Sequence, residues 1–293
     1  MSKTISKTIS KTIYSLLFLF CISLAIAPSA FSEDRQTTIS KTNLDFQSQF
    51  SRHLAQNLQE AKSEGCFVLY DLKRDRYIRY NSLHCQKRYI PASTFKIFNS
   101  LVALETKAIA DENTVIPWNG VSNPSFPDWN QDQTMRTAFK RSVVWFYQDL
   151  ARRVGKERMA KYIQAADYGN QNIEDKIDTF WLKGKLRISP EEQIKFLVKL
   201  YKDDLPFSPA VINTVKDIMV IERQENYTLR GKTGWGINVD GLQNIGWYVG
   251  YIERDNNVYF YALNMTNQDP KFDMIPIRKK ILFDTLRDLQ LVE

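Results

Sequence analysis

The chain has 293 residues, 43% of them hydrophobic, which is enough to bury a substantial core in one large or two smaller domains. Its 40 basic and 33 acidic residues give a formal charge of +7, but Lys and Arg are scattered singly and in pairs rather than massed on a stripe. Such a distribution is typical of a solvated, mildly basic surface and argues against nucleic acid as a partner.

The N-terminal segment has the pattern of a secretory signal peptide, which we assign to residues 1–32. It begins with three lysines and no acid, continues with an apolar run over residues 13–27, and ends in small residues at Ser32. The run of 15 residues is short for a membrane span, and no other stretch approaches the necessary length. We expect cleavage after Ser32 and a mature protein that is periplasmic and free of the membrane; an uncleaved anchor is the alternative.

Two cysteines, Cys66 and Cys85, remain after this leader. In an oxidising compartment they could pair, but two buried free thiols fit their positions equally well. The histidines are His53, in a polar segment, and His84, in a predicted loop. We expect both at surface or loop positions, which argues against a zinc site and against the histidine base of a Ser-His-Asp hydrolase.

The predicted elements that follow the leader fall into three stretches. Over residues 33–90 a polar helix precedes a hairpin, CFVLYDLKRDRYIRY, that turns at KRDR. Residues 91–223 are helical in pattern, with helices in PASTFKIFNSLVALE, TMRTAFKRSVVWFYQDLARRVG, KERMAKYIQAADYG and SPEEQIKFLVKLYKDD. From residue 224 the strands YTLRGKTGW, GWYVGYIER and VYFYALNM follow, the last two joined by DNN, and the helix IPIRKKILFDTLRDLQL closes the chain.

Strands at both ends with helices between them indicate an α+β fold. We expect one domain over residues 33–293, in which N- and C-terminal strands form a discontinuous antiparallel sheet flanked by helices. The sheet lobe comprises residues 33–90 and 224–293, and a helical lobe, residues 91–223, is inserted between its two parts.

The first predicted helix of the helical lobe carries the pattern S-x-x-K at Ser93 and Lys96. Residues three apart share a helix face, so the amine would lie beside the hydroxyl, among Phe95 and Phe98. A Lys kept neutral by apolar surroundings could accept the proton of Ser93, and the amides of a helix start favour a developing oxyanion. The alternative is a Lys that reaches past its apolar neighbours to water.

A second tripeptide, K-T-G at Lys232, Thr233 and Gly234, lies at a predicted strand. Gly234 would let the backbone approach a ligand closely, while Lys232 and Thr233 would offer it a cation and a hydroxyl. Each pattern is weak alone. The order S-x-x-K at a helix start and then K-T-G on a strand is a much stronger signal.

With these motifs the sequence resembles the class D serine β-lactamases, or oxacillinases, of the penicillin-recognising fold. The resemblance extends over nearly the whole mature chain. It includes the nucleophile helix, PASTFKIFNSLVALE; the S-x-V segment at Ser142 and Val144; the Y-G-N element at 168–170; the F-W-L segment at 180–182; and KTGWG with GWYVGYIE. Other families differ at the S-x-V segment. Class A enzymes carry S-D-N there, and penicillin-binding transpeptidases carry S-x-N.

The resemblance implies hydrolysis of β-lactam antibiotics, and hence resistance, through an acyl-serine intermediate. It implies that Ser93 is the nucleophile and that Lys96 is the general base, modified by carbon dioxide to a carbamate (N6-carboxylysine) that the Trp181 indole holds. No metal or other cofactor is implied. The resemblance further implies that Ser142 relays a proton and that the amides of Ser93 and Trp235 bind the oxyanion. The substrate carboxylate would be bound by Lys232, Thr233 and Arg278. The apolar surroundings of Lys96 would be Phe95, Phe98, Val144 and Leu182.

Two alternatives use the same serine and lysine. A β-lactam sensor is similar in sequence to the class D enzymes but stays acylated and signals. Such sensor domains follow several membrane spans, whereas the only export signal predicted here is a cleavable leader. A cell-wall transpeptidase is disfavoured by Val144, which places an apolar wall where those enzymes carry an amide.

Overall fold

The computed structural model describes residues 50–241 and 243–293 of the chain. The predicted signal peptide, residues 1–32, lies outside the described residues. None of the helices in the described part of the chain is long and apolar enough to cross a membrane.

The described strands form one antiparallel sheet in the order β2-β1-β6-β5-β4-β3. The N-terminal strand β1 lies between β2 and the C-terminal strand β6, so the predicted discontinuous sheet and the α+β class are confirmed. The strands are β1 (Glu64–Asp71), β2 (Arg76–Tyr80), β3 (Val220–Arg223), β4 (Tyr227–Val239), β5 (Gln243–Arg254) and β6 (Asn257–Asn267).

Helices cover both faces of the sheet, which explains why β1 is buried along almost its whole length. Alternate residues of a strand face opposite sides. Val68 packs into a larger apolar cluster with the helical lobe, and Phe67 packs into a smaller one with α1 and α9. The helices are α1 (50–60), α2 (Ser82–Gln86), α3 (Lys96–Glu105), α4 (Met135–Arg141), α5 (Val144–Val154), α6 (Lys156–Ala166), α7 (Pro190–Tyr201), α8 (Pro209–Ile218) and α9 (Met274–Asp288).

Local signals in the sequence place several element ends correctly. At the start of α7 the amide of Glu192 donates to Ser189 Oγ at 3.1 Å, and the amide of Ser189 donates to the Glu192 carboxylate at 2.8 Å. This is the capping box expected of S-x-x-E. Between β5 and β6, Asp255 and Asn256 have φ angles of 52° and 55°, the backbone that a two-residue hairpin turn requires.

Within residues 134–223 the structure differs from the prediction at three points. The helix predicted over TMRTAFKRSVVWFYQDLARRVG is two helices, because Ser142 adopts a left-handed φ of 58° that ends α4. The predicted helical lobe extends to residue 223, yet β3 lies within it and pairs with β4 at the edge of the sheet. With only four residues, β3 offers too short an alternation to be recognised, and α8 was not predicted.

The two cysteines are free thiols and both are buried. His53 is exposed, as predicted, but the prediction of a surface position for His84 is wrong. His84 lies in α2, which packs on β1, and its Nε2 is 2.8 Å from Asn264 Oδ1. Burial lowers the pKa of His84, so the side chain is a neutral member of the core.

Candidate active site

Ser93 lies in a short 3-10 turn, Ala92–Phe95, that leads directly into α3. The predicted α-helix therefore begins at Lys96 rather than at Pro91. Ala92 has a φ of 48°, a strained value for a residue with a side chain, and its amide donates to the carbonyl of Trp181 at 3.0 Å. Strained backbone of this kind persists only where the surroundings hold it, so the turn is a rigid support for the Ser93 hydroxyl.

Lys96 places its amine against that hydroxyl, with Nζ 2.6 Å from Ser93 Oγ. The side chain is fully buried, and its Nζ lies 5.3 Å from the centroid of the Tyr147 ring. The alternative of a Lys that reaches water is thereby excluded. No described carboxylate pairs with the amine, and burial alone lowers the pKa of Lys96 from 10.5 to about 7.

A bed of aromatic rings forms the dry surroundings of this pair. Phe95 stacks on Trp181, with centroids 5.5 Å apart, and on Phe98 at 5.6 Å. Trp181 is almost fully buried. Leu182, predicted to line the same surroundings, is only half-buried and packs against the larger core cluster.

Ser142 and Lys232 meet on the opposite side of the site. The left-handed end of α4 presents the Ser142 hydroxyl, which accepts a hydrogen bond from Lys232 Nζ at 3.0 Å. Lys232 also donates to the carbonyl of Thr233 at 3.1 Å. Its side chain is buried, and this burial, together with repulsion from Lys96 and Arg278, holds the pKa of Lys232 well below its usual value.

Arg278, near the start of α9, is a buried guanidinium that lacks an acidic partner among the described residues. Its Nη1 donates to the carbonyl of Gly234 at 2.6 Å, while Nε has no described hydrogen-bond partner. Burial lowers the pKa of Arg278 to about 10, so the group stays cationic at neutral pH. An unpaired buried cation is costly unless an anion joins it, and the arrangement is therefore suited to bind one.

Gly234 permits the close approach of β4 to the nucleophile turn. A Cβ at this position would lie 3.1 Å from both the Pro91 carbonyl oxygen and the Thr94 methyl group, closer than ordinary contact. The absence of a side chain thus brings Thr233 and Trp235 beside Ser93.

These residues surround a cavity of about 350 Å³. Seven predicted residues line it: Ser93, Ser142, Val144, Thr233, Gly234, Trp235 and Arg278. Lys96 and Trp181 are buried behind Ser93, and Lys232 lines the neighbouring cleft together with Thr233.

An apolar wall of the cavity was not predicted from the sequence. Phe126 and Trp129 stack with centroids 4.6 Å apart, and Ile237 and Ile275 complete the wall with exposed side chains. The signal was present in the loop IPWNGVSNPSFPDWN, whose aromatic residues are unusual for a solvated connection.

A buried polar network beneath the nucleophile turn was not predicted either. Gln193 Nε2 donates to Thr94 Oγ1 at 2.9 Å, and Thr94 Oγ1 donates to the Pro91 carbonyl at 2.8 Å. The buried Tyr168 hydroxyl lies near both side chains but has no hydrogen-bond partner among the described residues. Gln193 is fully buried on the apolar face of α7, and a Gln at a core position of an amphipathic helix is the signal that could have revealed it.

The geometry supports nucleophilic attack on an anionic substrate. A serine is in contact with an amine of lowered pKa, and a lysine and an arginine without described carboxylate partners lie within the same site. Among the described residues no three His, Cys, Asp or Glu side chains are grouped so that they could hold a metal ion.

Comparison with known proteins assigns a family to this arrangement. A model of the penicillin binding protein transpeptidase domain matches residues 45–287. The chain is 40% identical over 230 residues to the probable β-lactamase YbxI of Bacillus subtilis (strain 168), covering 78% of this chain and 82% of that protein. It is also 40% identical over 233 residues to β-lactamase OXA-48 of Klebsiella pneumoniae, covering 80% of this chain and 86% of the relative.

A solved structure and a regulatory protein extend the comparison. The crystal structure of the class D β-lactamase YbXI from Nostoc matches with a TM-score of 0.77 at 44% identity, covering 82% of this chain and 99% of that one. The regulatory protein BlaR1 of Bacillus licheniformis is 35% identical over 206 residues, but these cover only 34% of its length. Because the matches to β-lactamases span both the sheet and the helical lobe, the chain belongs to the class D serine β-lactamase family.

Proposed function

We propose that this protein hydrolyses β-lactams through an acyl-Ser93 intermediate, with Lys96 carrying the general base. The observation that carries the proposal is the 2.6 Å contact between Lys96 Nζ and Ser93 Oγ in a fully buried setting. With a pKa of about 7, a large fraction of the Lys96 amine is neutral near neutral pH. Only the neutral form can accept the serine proton.

Acylation begins when Ser93 Oγ bonds to the lactam carbonyl carbon and its proton passes to the base on Lys96. The amides of Ser93 and Trp235 stabilise the oxyanion. The carbon–nitrogen bond then breaks, and the nitrogen receives a proton through Ser142, whose hydroxyl already accepts a hydrogen bond from Lys232. In deacylation water adds to the ester carbonyl and gives a proton to the base, and the Ser93 oxygen leaves and regains its own proton.

The surroundings of Lys96 fit its modification by carbon dioxide, because the amine is buried, lacks a described acidic partner and has a lowered pKa. Bound as a carbamate, carbon dioxide would supply an oxygen base that reaches water more readily than the amine does. Trp181, which stacks on Phe95 beside Lys96, would hold the modified side chain.

The substrate carboxylate would bind between Lys232, Thr233 and Arg278. Arg278 lines the cavity and offers a permanent cation, and an arriving anion would favour the protonated form of Lys232. The apolar wall of Phe126, Trp129, Ile237 and Ile275 would take up the acyl side chain.

We further propose that the protein is exported by its N-terminal segment, is cleaved after Ser32 and confers β-lactam resistance from the periplasm. The composition of residues 1–32 supports export.

A β-lactam sensor is the second candidate, favoured by the 35% identity to BlaR1. Steady-state turnover of nitrocefin separates the two. Sustained hydrolysis fits an enzyme, whereas a stoichiometric burst that then stops fits a sensor.

Ser93→Ala is expected to abolish nitrocefin hydrolysis with little change in melting temperature, because losing a small polar group in this turn costs only about 1 kcal/mol. Mass spectrometry with a slowly hydrolysed β-lactam should show one covalent adduct on the wild type and none on the variant. Ser82→Ala, on the exposed part of α2, is the matched control and should retain both. An adduct on another residue would refute the assignment of the nucleophile.

Arg278→Ala is expected to weaken transition-state binding by about 2–4 kcal/mol, because a charge-assisted contact is lost from a desolvated site. Measured kcat/KM should fall for every β-lactam that bears the carboxylate. Arg287→Ala removes a solvent-exposed arginine of the same helix and should change nothing. An unchanged kcat/KM in Arg278→Ala would mean that this guanidinium has only a structural role.

Activity is expected to decline below pH 7 in carbon-dioxide-depleted buffer and to recover when bicarbonate is added. Because the pKa of Lys96 is about 7, the fraction of the side chain in the neutral form falls about tenfold for each pH unit below that value. Trp181→Ala should respond more steeply to bicarbonate and accumulate acyl-enzyme, whereas Trp118→Ala, outside the aromatic bed, should behave as wild type. No bicarbonate response in any of the proteins would mean that Lys96 acts as an unmodified amine.

Gln193→Leu is expected to slow acylation about tenfold, because Thr94 loses the partner that helps to fix the nucleophile turn. Single-turnover kinetics well below the melting temperature measure this rate apart from stability, and KM should change less than kcat. Gln164→Leu, at an exposed position of α6, is the control. Wild-type acylation in Gln193→Leu would show that the network serves stability alone.

A further inference from the structure

Two thiols lie buried against each other at the junction of β1 and α2. Cys66 and Cys85 are both fully buried and belong to the same apolar cluster. Burial and the neighbouring Cys85 thiol both raise the pKa of the Cys66 thiol. The mechanism proposed above uses neither of them.

Neighbouring contacts place Cys85 beside Cys66 independently. Its Sγ lies 3.5 Å from the carbonyl of Tyr80, and Tyr80 is the register partner of Phe67, the residue after Cys66. His84, the residue before Cys85, bonds to Asn264, which is the register partner of Cys66 itself. The Cys85 thiol and the residue before it are thus both tied to the part of the sheet where Cys66 lies.

We propose that Cys66 and Cys85 form a disulfide when a disulfide oxidant such as glutathione disulfide is available. The bond would join β1 to α2 and close a loop that spans nineteen positions and contains the β1–β2 hairpin. The proposed export would supply an oxidising compartment, but the pairing itself depends on neither export nor hydrolysis.

The exchange proceeds in two balanced steps. The thiolate of Cys85 attacks the oxidant and forms a mixed disulfide, releasing one reduced thiol. The thiolate of Cys66 then attacks the Cys85 sulfur and releases the second. Two protons and two electrons pass from the protein to the oxidant. We assign the first attack to Cys85 because α2 is a five-residue helix at the surface, where Leu83 is 84% exposed, whereas Cys66 lies in a strand that is paired on both sides.

The cross-link would stabilise the segment that leads to the nucleophile. His84 stacks on Tyr89 at 4.9 Å, Tyr89 exchanges backbone hydrogen bonds with Ile188, and the Ile90 carbonyl accepts from Trp247 Nε1 at 2.9 Å. These contacts already position the turn that bears Ser93. We therefore expect the disulfide to raise stability and to leave the rate of hydrolysis at moderate temperature unchanged.

Peptide mapping of the full chain in a Cys21→Ser background tests the proposal. The purified protein is equilibrated with glutathione disulfide, alkylated in denaturant and digested with trypsin without reduction. Cleavage at Lys and Arg releases Cys66 in SEGCFVLYDLK and Cys85 in YNSLHCQK. We expect these two peptides to be linked, to separate on reduction, and the oxidised protein to melt about 5–10 °C higher than the reduced one.

Cys66→Ala and Cys85→Ala should each lose the linked peptide and the oxidant-dependent rise in melting temperature, with hydrolysis retained. The map in the Cys21→Ser background keeps both Cys66 and Cys85, so it does not depend on either alanine variant folding. Two free thiols after equilibration, or a glutathione adduct on Cys85 without the cross-link, would overturn the proposal. Linked peptides in a protein that does not hydrolyse β-lactams would leave the disulfide established and would refute the proposed function instead.

Discussion

The contact between Lys96 Nζ and Ser93 Oγ is the interaction on which the rest of the site depends. Burying an amine without an acidic partner is unfavourable for the ammonium form, so the fold favours the neutral base that nucleophile activation needs. The 3-10 turn with its strained Ala92, the aromatic bed and the close approach of β4 at Gly234 all keep this pair dry and fixed. The position of Lys96 relative to Ser93 is therefore set by the packing of the segments around them.

The same burial acts differently on the three cationic residues of the site. Lys96 and Lys232 have amines that can lose a proton, so desolvation lowers both pKa values, and repulsion from Lys96 and Arg278 lowers that of Lys232 further. Arg278 keeps its charge because a pKa of about 10 is still far above neutrality. The site therefore offers a neutral base and a permanent cation within one small cavity, and an anionic substrate would complete its electrostatics.

The sequence predicts which side chains come together at the site better than it predicts the backbone that presents them. The order of S-x-x-K and K-T-G points to Ser93, Lys96 and Lys232, and these residues do lie around one site in the structure. The left-handed break at Ser142 and the buried Gln193 were missed, since both arise from contacts between distant segments that local periodicity does not report. The short edge strand β3 and the buried His84 were missed for the same reason.

Carbon-13 NMR with labelled bicarbonate tests most directly whether Lys96 is the neutral amine on which catalysis depends. Only an unprotonated lysine forms a carbamate, so the wild type should show one protein-bound carbamate resonance at pH 8 that fades as the pH falls through the Lys96 pKa of about 7. Lys96→Ala should lack the resonance, and Lys280→Ala, which removes an exposed lysine of α9, should retain it. A wild type without the resonance, or a resonance that survives in Lys96→Ala, would contradict the assignment of Lys96 as the modified general base.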